Sequence, residues 1–271
     1  MLKLTNTKVI IAGSIVKQMT YEDRPLAYNF TVRNTRRIRE KNTGTDQESI
    51  EKKIRTRERS IRRSGSDLRM LINANAWQWK HITGELYTPL FVTFTFKKDI
   101  SDVHVANGTF RKFIKRINYN ASGGSKKGYF KYLSVVDFQD FCRGGVVHYH
   151  TVFFNMSSDN EQMLHKEWKN GVVNVRMVEE IENVGLYMSK GNAQDGRLDG
   201  HKRYFRSQHL LLPTVIKDES KARSVIGLMR GNYTPKVRRF HGFQGNVTES
   251  VYELNKGENL LDMIPEIKYL L

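Results

Sequence analysis

The stretch Leu133-Ser134-Val135-Val136-Asp137-Phe138-Gln139-Asp140-Phe141-Cys142-Arg143-Gly144-Gly145-Val146-Val147-His148-Tyr149-His150 decides the fold. Its flanks are β-branched and aromatic, the composition of strands, while its middle carries polar residues and paired glycines. Two strands are therefore expected, over 129–138 and 145–154, joined by a short turn around Cys142-Arg143-Gly144 and paired antiparallel. Upstream, Pro89 introduces Leu90-Phe91-Val92-Thr93-Phe94-Thr95-Phe96, a third β-prone run closed by Lys97-Lys98-Asp99. Between the runs, residues 103–118 set Phe110, Phe113, Ile114 and Ile117 on one face and Arg111, Lys112, Lys115 and Arg116 on another, which predicts an amphipathic helix. Residues 122–128 read as a glycine-rich loop. Downstream the pattern predicts a helix over 159–169, a strand over 172–178 and a short helix ending near Lys190. That order gives an α+β fold with a central antiparallel sheet flanked by helices.

The chain of 271 residues carries 45 Lys+Arg against 28 Asp+Glu, a net charge of +17. Such a surplus calls for a polyanionic partner, either nucleic acid or an anionic membrane. The longest apolar stretch near the N-terminus, Val9 to Val16, is closed by Lys17 and is far too short for a bilayer span. It lacks the small-residue cleavage site of a signal peptide. A single cysteine, Cys142, excludes an internal disulfide and a Cys-rich zinc module, and suits a reducing cytoplasm. With 14 Phe and 12 Tyr the chain is too aromatic for disorder.

The charge is uneven. Residues 1–80 hold 18 Lys+Arg and 8 Asp+Glu. Three regions are expected: a basic, partly helical segment over 1–80, the α+β core over 81–213, and a C-terminal extension over 214–271 packing on that core. Within the first, Ser49 to Trp77 reads as one or two helices broken at Ser64-Gly65-Ser66. Its arginines, among them Arg36, Arg37, Arg57, Arg59, Arg62 and Arg63, are candidates for phosphate contact, joined by Arg111, Lys115 and Arg143. The interleaved Glu48, Glu51 and Glu58 also fit ordinary i,i+4 pairing on a solvated helix.

His148 and His150 alternate with Tyr149 on one strand, so both imidazoles leave the same face about 7 Å apart at the Cα, close enough to chelate one ion. A carboxylate in an apolar strand is costly unless it is paired or metal-bound, which makes Asp137 the candidate third ligand. Asp140 competes with it. Two imidazoles and a carboxylate leave positions for water and substrate oxygens, and a phosphate substrate favours Mg²⁺ or Mn²⁺. Further on, Tyr187 and Lys190 fall at i,i+3 on the expected short helix. A phenol can attack phosphorus if its proton is lost and the charge is balanced, which a neighbouring ammonium and a metal would accomplish.

These segments in order, with Arg143-Gly144-Gly145 before the histidines and Asn183-Val184-Gly185-Leu186-Tyr187-Met188-Ser189-Lys190 after them, resemble the motifs of the HUH endonucleases. The likeness is greatest to rolling-circle replication initiator proteins of bacterial plasmids and single-stranded DNA phages. Trp168-Lys169-Asn170-Gly171 and the segment 200–210 extend it over about residues 67–213. The resemblance implies a ferredoxin- or RRM-like palm and a Tyr187 nucleophile leaving a 5′-phosphotyrosine and a free 3′-OH. It also implies metal ligation by His148, His150 and the acidic residue, and Lys190 as the motif lysine. Gly191 stands where many relatives carry a second tyrosine, which implies a single-tyrosine mechanism. No G-x-x-x-x-G-K-[ST] loop occurs, so no nucleotide cofactor is expected, and unwinding and synthesis would fall to a host helicase and polymerase. An HUH-type transposase or relaxase, or a non-catalytic nucleic-acid-binding protein, are the competing readings.

Overall fold

Alternation along residues 90–96 writes the middle of the structure. Leu90, Val92, Phe94 and Phe96 are buried on one side of their strand, and Phe91, Thr93 and Thr95 face the other, the period-two pattern of a strand packed on both faces. The computed structural model describes residues 2–29, 47–124, 128–190, 195–202, 204–242 and 244–263. In chain order the first elements are β1 (Leu2–Thr5), β2 (Thr7–Ala12), β3 (Ile15–Tyr21), β4 (Leu26–Asn29) and α1 (Gln47–Asn73). There follow β5 (Leu90–Phe96), α2 (Val103–Ala121), β6 (Tyr132–Gln139), α3 (Asp140–Arg143), β7 (Val146–Phe153), α4 (Glu161–Glu167), β8 (Gly171–Met177) and α5 (Ile181–Lys190). The last are β9 (Tyr204–Arg206), β10 (Thr214–Ile216), α6 (Glu219–Asn232), β11 (Lys236–Gly242), β12 (Gly245–Glu253) and α7 (Leu260–Met263). The fold is α+β with antiparallel sheets and flanking helices, as the strand and helix patterns predict.

The chain divides into two units, 60–212 and the pair of segments 1–59 with 213–271. In the first, five strands run in the order β8-β5-β7-β6-β9, each antiparallel to its neighbours. One face carries an aromatic core in which Phe94, Phe110, Phe113, Tyr149 and Trp168 pack together with α2. The α2 helix begins where Asp102 accepts bonds from the N–H groups of His104 and Val105 at 2.7 and 3.2 Å, satisfying donors the helix cannot. The other face packs Leu133, Val135 and Val152 against Leu68, Leu71 and Ile72 of α1 and Ile181 and Met188 of α5. Trp168 donates its indole N–H to the Thr95 carbonyl at 3.2 Å. Gly171 then starts β8 so close to β5 that a Cβ there would stand 2.0 Å from the same carbonyl oxygen.

In the second unit five strands run β10-β2-β3-β12-β11, and β1 pairs with β4. The sequence reading separates 1–80 from 214–271, yet strands from both ends of the chain share this sheet. Val9, Ile11, Val16 and Tyr252 pack there against Ala222, Val225, Ile226 and Met229, of which the last four lie on α6. The run Val9 to Val16 folds back at Gly13, whose φ of 60° suits a residue without a side chain. It therefore makes a hairpin, and residues 2–29 carry the strands β1 to β4 ahead of the helix expected from Ser49.

Local differences from expectation have physical causes. The α1 helix continues through Ser64-Gly65-Ser66. A glycine inside a helix costs only about 1 kcal/mol, and the burial of Leu68, Leu71 and Ile72 just beyond outweighs it. The turn after β6 is a single helical turn, α3, closed by Gly144 in the left-handed region at φ 57°. Among the described residues no helix is long and apolar enough to cross a membrane.

Candidate active site

Register brings the chemistry together. Opposite Asp137 on β6 stands His148 on β7, and opposite His150 stand Val135 on β6 and Thr93 on β5. Asp137, His148 and His150 thus share the face that α5 covers, and their ligand atoms all lie within 4.8 Å of one another. Oδ2 of Asp137 is 3.5 Å from Nε2 of His148 and 3.4 Å from Nε2 of His150. Two ligands at about 2.1 Å from one ion, subtending 90–109°, stand about 3.0–3.4 Å apart, so the three groups fit a divalent cation with little adjustment.

Tyr187 completes the constellation from α5, its hydroxyl 3.1 Å from Nε2 of His150. Phe91 holds both rings, stacked on His150 at 5.6 Å and edge-on to Tyr187 at 5.9 Å. Thr93 Oγ1 lies 3.1 Å from the other nitrogen of His150, Nδ1. An Nδ1–H donated to Thr93 leaves the Nε2 lone pair directed at the cluster, the tautomer a metal ligand needs. Beside the tyrosine a cleft of about 640 Å³ opens, lined by Phe91, Thr93, Asn174, Arg176 and Val184 among others. Tyr187 itself is half exposed, at 52%.

Electrostatics favour an anionic aspartate and neutral imidazole. Burial alone would raise Asp137, but hydrogen bonds from His148, His150 and the Phe138 N–H outweigh it and hold the carboxyl well below its ordinary range. Burial lowers His150, against the opposing pull of Asp137. Burial, and then the Asp137 charge, raise the Tyr187 phenol. An unassisted phenolate is therefore disfavoured here, and added positive charge in the cluster would reverse that.

The remaining sequence candidates fall elsewhere. Asp140 stands at the start of α3, outside the cluster, clasped by Arg197 at 2.6 and 2.8 Å. Arg197 also bonds Asp195 at 2.5 Å and lies 3.8 Å over the Phe138 ring. Arg143 donates to the carbonyls of Phe96 and Lys97 at 2.6 and 3.1 Å and pairs with Asp99, so its guanidinium ties α3 to the end of β5. Arg63, Arg111 and Lys115 are exposed. Arg36 and Arg37 lie outside the described residues, as do the side chains of Arg57, Arg59, Arg62 and Lys190.

Period-two geometry turns Tyr149 and Phe138 to the opposite face of the sheet, away from this pocket. Both side chains belong to the α2-side core, where Tyr149 stacks on Phe110 at 4.1 Å and bonds Asn107 at 2.8 Å. Sequence reasoning missed Phe91 and Thr93, although alternation from Phe94 puts them on the histidine face. It also missed Phe141, whose ring on α3 is wholly exposed at 102%. An aromatic residue between an acid and a cysteine in a turn was the available signal.

A sheet presenting two imidazoles and a carboxylate, with a tyrosine hydroxyl from a covering helix, has the donor set of a metal-assisted nucleophilic site. Residues 89–192 match a family model described as Replication-associated protein ORF2. The match spans β5 to the end of α5 and so encloses Asp137, His148, His150 and Tyr187. No curated protein and no solved structure matches the chain.

Proposed function

We infer that this protein initiates rolling-circle replication by cutting one DNA strand through Tyr187. One observation carries the reading: the Tyr187 hydroxyl stands 3.1 Å from His150 at the edge of the His148–His150–Asp137 cluster. The replication-associated match over the same residues supports it.

In the proposed reaction Tyr187 Oη attacks the scissile phosphorus and the P–O3′ bond breaks. The 5′ phosphate stays on the tyrosine, and the 3′ oxygen leaves as a hydroxyl carrying the proton equivalent the phenol gave up. Asp137, His148 and His150 would hold Mg²⁺ or Mn²⁺, which when bound supplies Lewis-acid polarisation of phosphate oxygens and charge balance for the phenolate. Phe91 and α5 position the phenol, and Thr93 fixes the imidazole. Lys190, one turn beyond Tyr187, is the proposed second source of positive charge. Because the phosphotyrosine is a phosphodiester, a later 3′-OH can displace the tyrosine and rejoin the strand without a nucleotide cofactor. A host helicase and polymerase, in the cytoplasm of a bacterial cell, would complete replication.

Tyr187→Phe tests this directly. With a single-stranded oligonucleotide carrying the origin and Mn²⁺, the wild-type chain should form a denaturation-resistant 5′-linked adduct and the variant none, while binding is kept. Adducts surviving in the variant would move the nucleophile elsewhere, and undiminished cleavage in chelator would end the metal assignment.

A further inference from the structure

On the α2 side of the same sheet, away from the histidine face, lies a pocket of about 800 Å³, within the roughly 300–1,000 Å³ usual for small-ligand sites. Its wall combines two kinds of group. Lys112 and Lys115 project from α2, and Arg206 of β9 borders the pocket, all exposed. Among the described residues none of the three has a carboxylate partner, and no acid lines the pocket. The charge of Arg116, by contrast, is taken up by Glu167 at 2.5 Å. Tyr119 and Tyr132 supply aromatic surface, the first exposed at 55% and the second half-buried.

The Tyr132 ring is fixed, tilted against Phe153 at 5.9 Å, with its backbone N–H donated to Ser207 Oγ at 3.0 Å. Burial pushes its phenol up to about 12, so the hydroxyl remains a neutral donor at physiological pH. Gly128, on the rim, follows Lys126-Lys127 in sequence.

Unpaired cations beside aromatic faces are the chemistry of a nucleotide: phosphate to the ammonium and guanidinium groups, base to the rings. We propose that this pocket holds a nucleotide of the same DNA strand outside the cleavage site, a second anchoring point on the far face of the sheet. The inference rests on the strand-cutting reading above. Tyr132 and Asp137 are five residues apart on β6, about 16 Å at ~3.3 Å per residue, so the anchored nucleotide is not the one being cut. A strand held at both points is fixed in register across the sheet edge.

The test uses the full chain in chelator with a single-stranded oligodeoxynucleotide substituted with 5-iododeoxyuridine, irradiated and mapped by mass spectrometry. Cross-links are expected at Tyr119 or Tyr132 as well as near Tyr187. In the double variant Lys112→Glu with Lys115→Glu the Tyr119/Tyr132 cross-links should disappear while those near Tyr187 persist. The slope of log K against log salt should also fall by about 1.4, two single-strand phosphate contacts. Cross-links confined to the Tyr187 face of the wild-type chain, or unchanged in the variant, would overturn the pocket and leave the strand-cutting reading standing. No cross-link and no binding anywhere would overturn both. Displacement of the Tyr119/Tyr132 cross-links by dTMP at equal nucleotide concentration would make a free mononucleotide the ligand and overturn the anchoring role.

Discussion

Thr93 Oγ1 lies 3.1 Å from Nδ1 of His150, so a residue of β5 is the outer hydrogen-bond partner of this imidazole. Loss of such an outer partner typically lowers metal affinity about 10–100-fold. Thr93→Val keeps the β-branched shape and removes the oxygen. Titration calorimetry with Mn²⁺ should therefore show affinity reduced within that range while the thermal midpoint moves little. Unchanged affinity would mean that the ring is held by Phe91 stacking alone.

Phe141 offers an exposed ring on the turn that follows the aspartate strand. Stacking of one base on an aromatic side chain contributes about 1–3 kcal/mol. Phe141→Ala should weaken oligonucleotide binding, read by fluorescence anisotropy, by that order. Stability should stay within about 0.5 kcal/mol, as for other surface changes. Equal affinity in wild type and variant would leave the ring without a role in binding.

Two glycines should respond in opposite directions. At Gly171 an added Cβ meets the Thr95 carbonyl at 2.0 Å, and backbone must move to admit it. Gly171→Ala should cost about 3 kcal/mol or more, since overpacking against main chain is at the upper end of such effects. Gly108, inside α2, has nothing within 4 Å of the same added atom. Gly108→Ala should stabilise by about 1 kcal/mol through helix propensity. Denaturant midpoints decide both.

Glu249 is buried between Lys17 at 3.0 Å and Arg238 at 2.5 Å. Burial alone would raise its carboxyl, but hydrogen bonding from Arg238 and the charge of Lys17 bring it below the ordinary 4.5. A carboxyl lowered in the folded state contributes stability fully above its unfolded value, and that contribution fades as pH falls through the folded one. Glu249→Gln should therefore lose about 2 kcal/mol at neutral pH. The gap from wild type should narrow in urea titrations below about pH 4. A constant gap across pH would place the loss in packing rather than charge.

Much of the site was legible because strand alternation is rigid. Once 133–138 and 145–154 are neighbours, Asp137 and the two histidines must share a face. The choice between Asp137 and Asp140 needed the register and the α3 turn, since Arg197, which clasps Asp140, lies 57 residues further on. Arg143 read as a phosphate contact because charge is visible in sequence, whereas backbone carbonyls that accept its bonds are not. The β5 strand was readable to the residue from composition alone. The sheet of β2, β3, β10, β11 and β12 was not, because its partners are separated by about two hundred residues and pairing over that distance leaves no local pattern.

That long-range pairing has a consequence at the ribosome. The hairpin of β2 and β3 emerges early, but β10 and β12, which flank it, are synthesised only after residue 213. At about 5–20 residues per second, its apolar strands wait on the order of 10–40 s for their neighbours. The segment 60–212, by contrast, is contiguous and has every strand of its sheet once Arg206 has been added. During translation, then, the part bearing Tyr187 and the histidines can complete itself while β2 and β3 still lack β10 and β12.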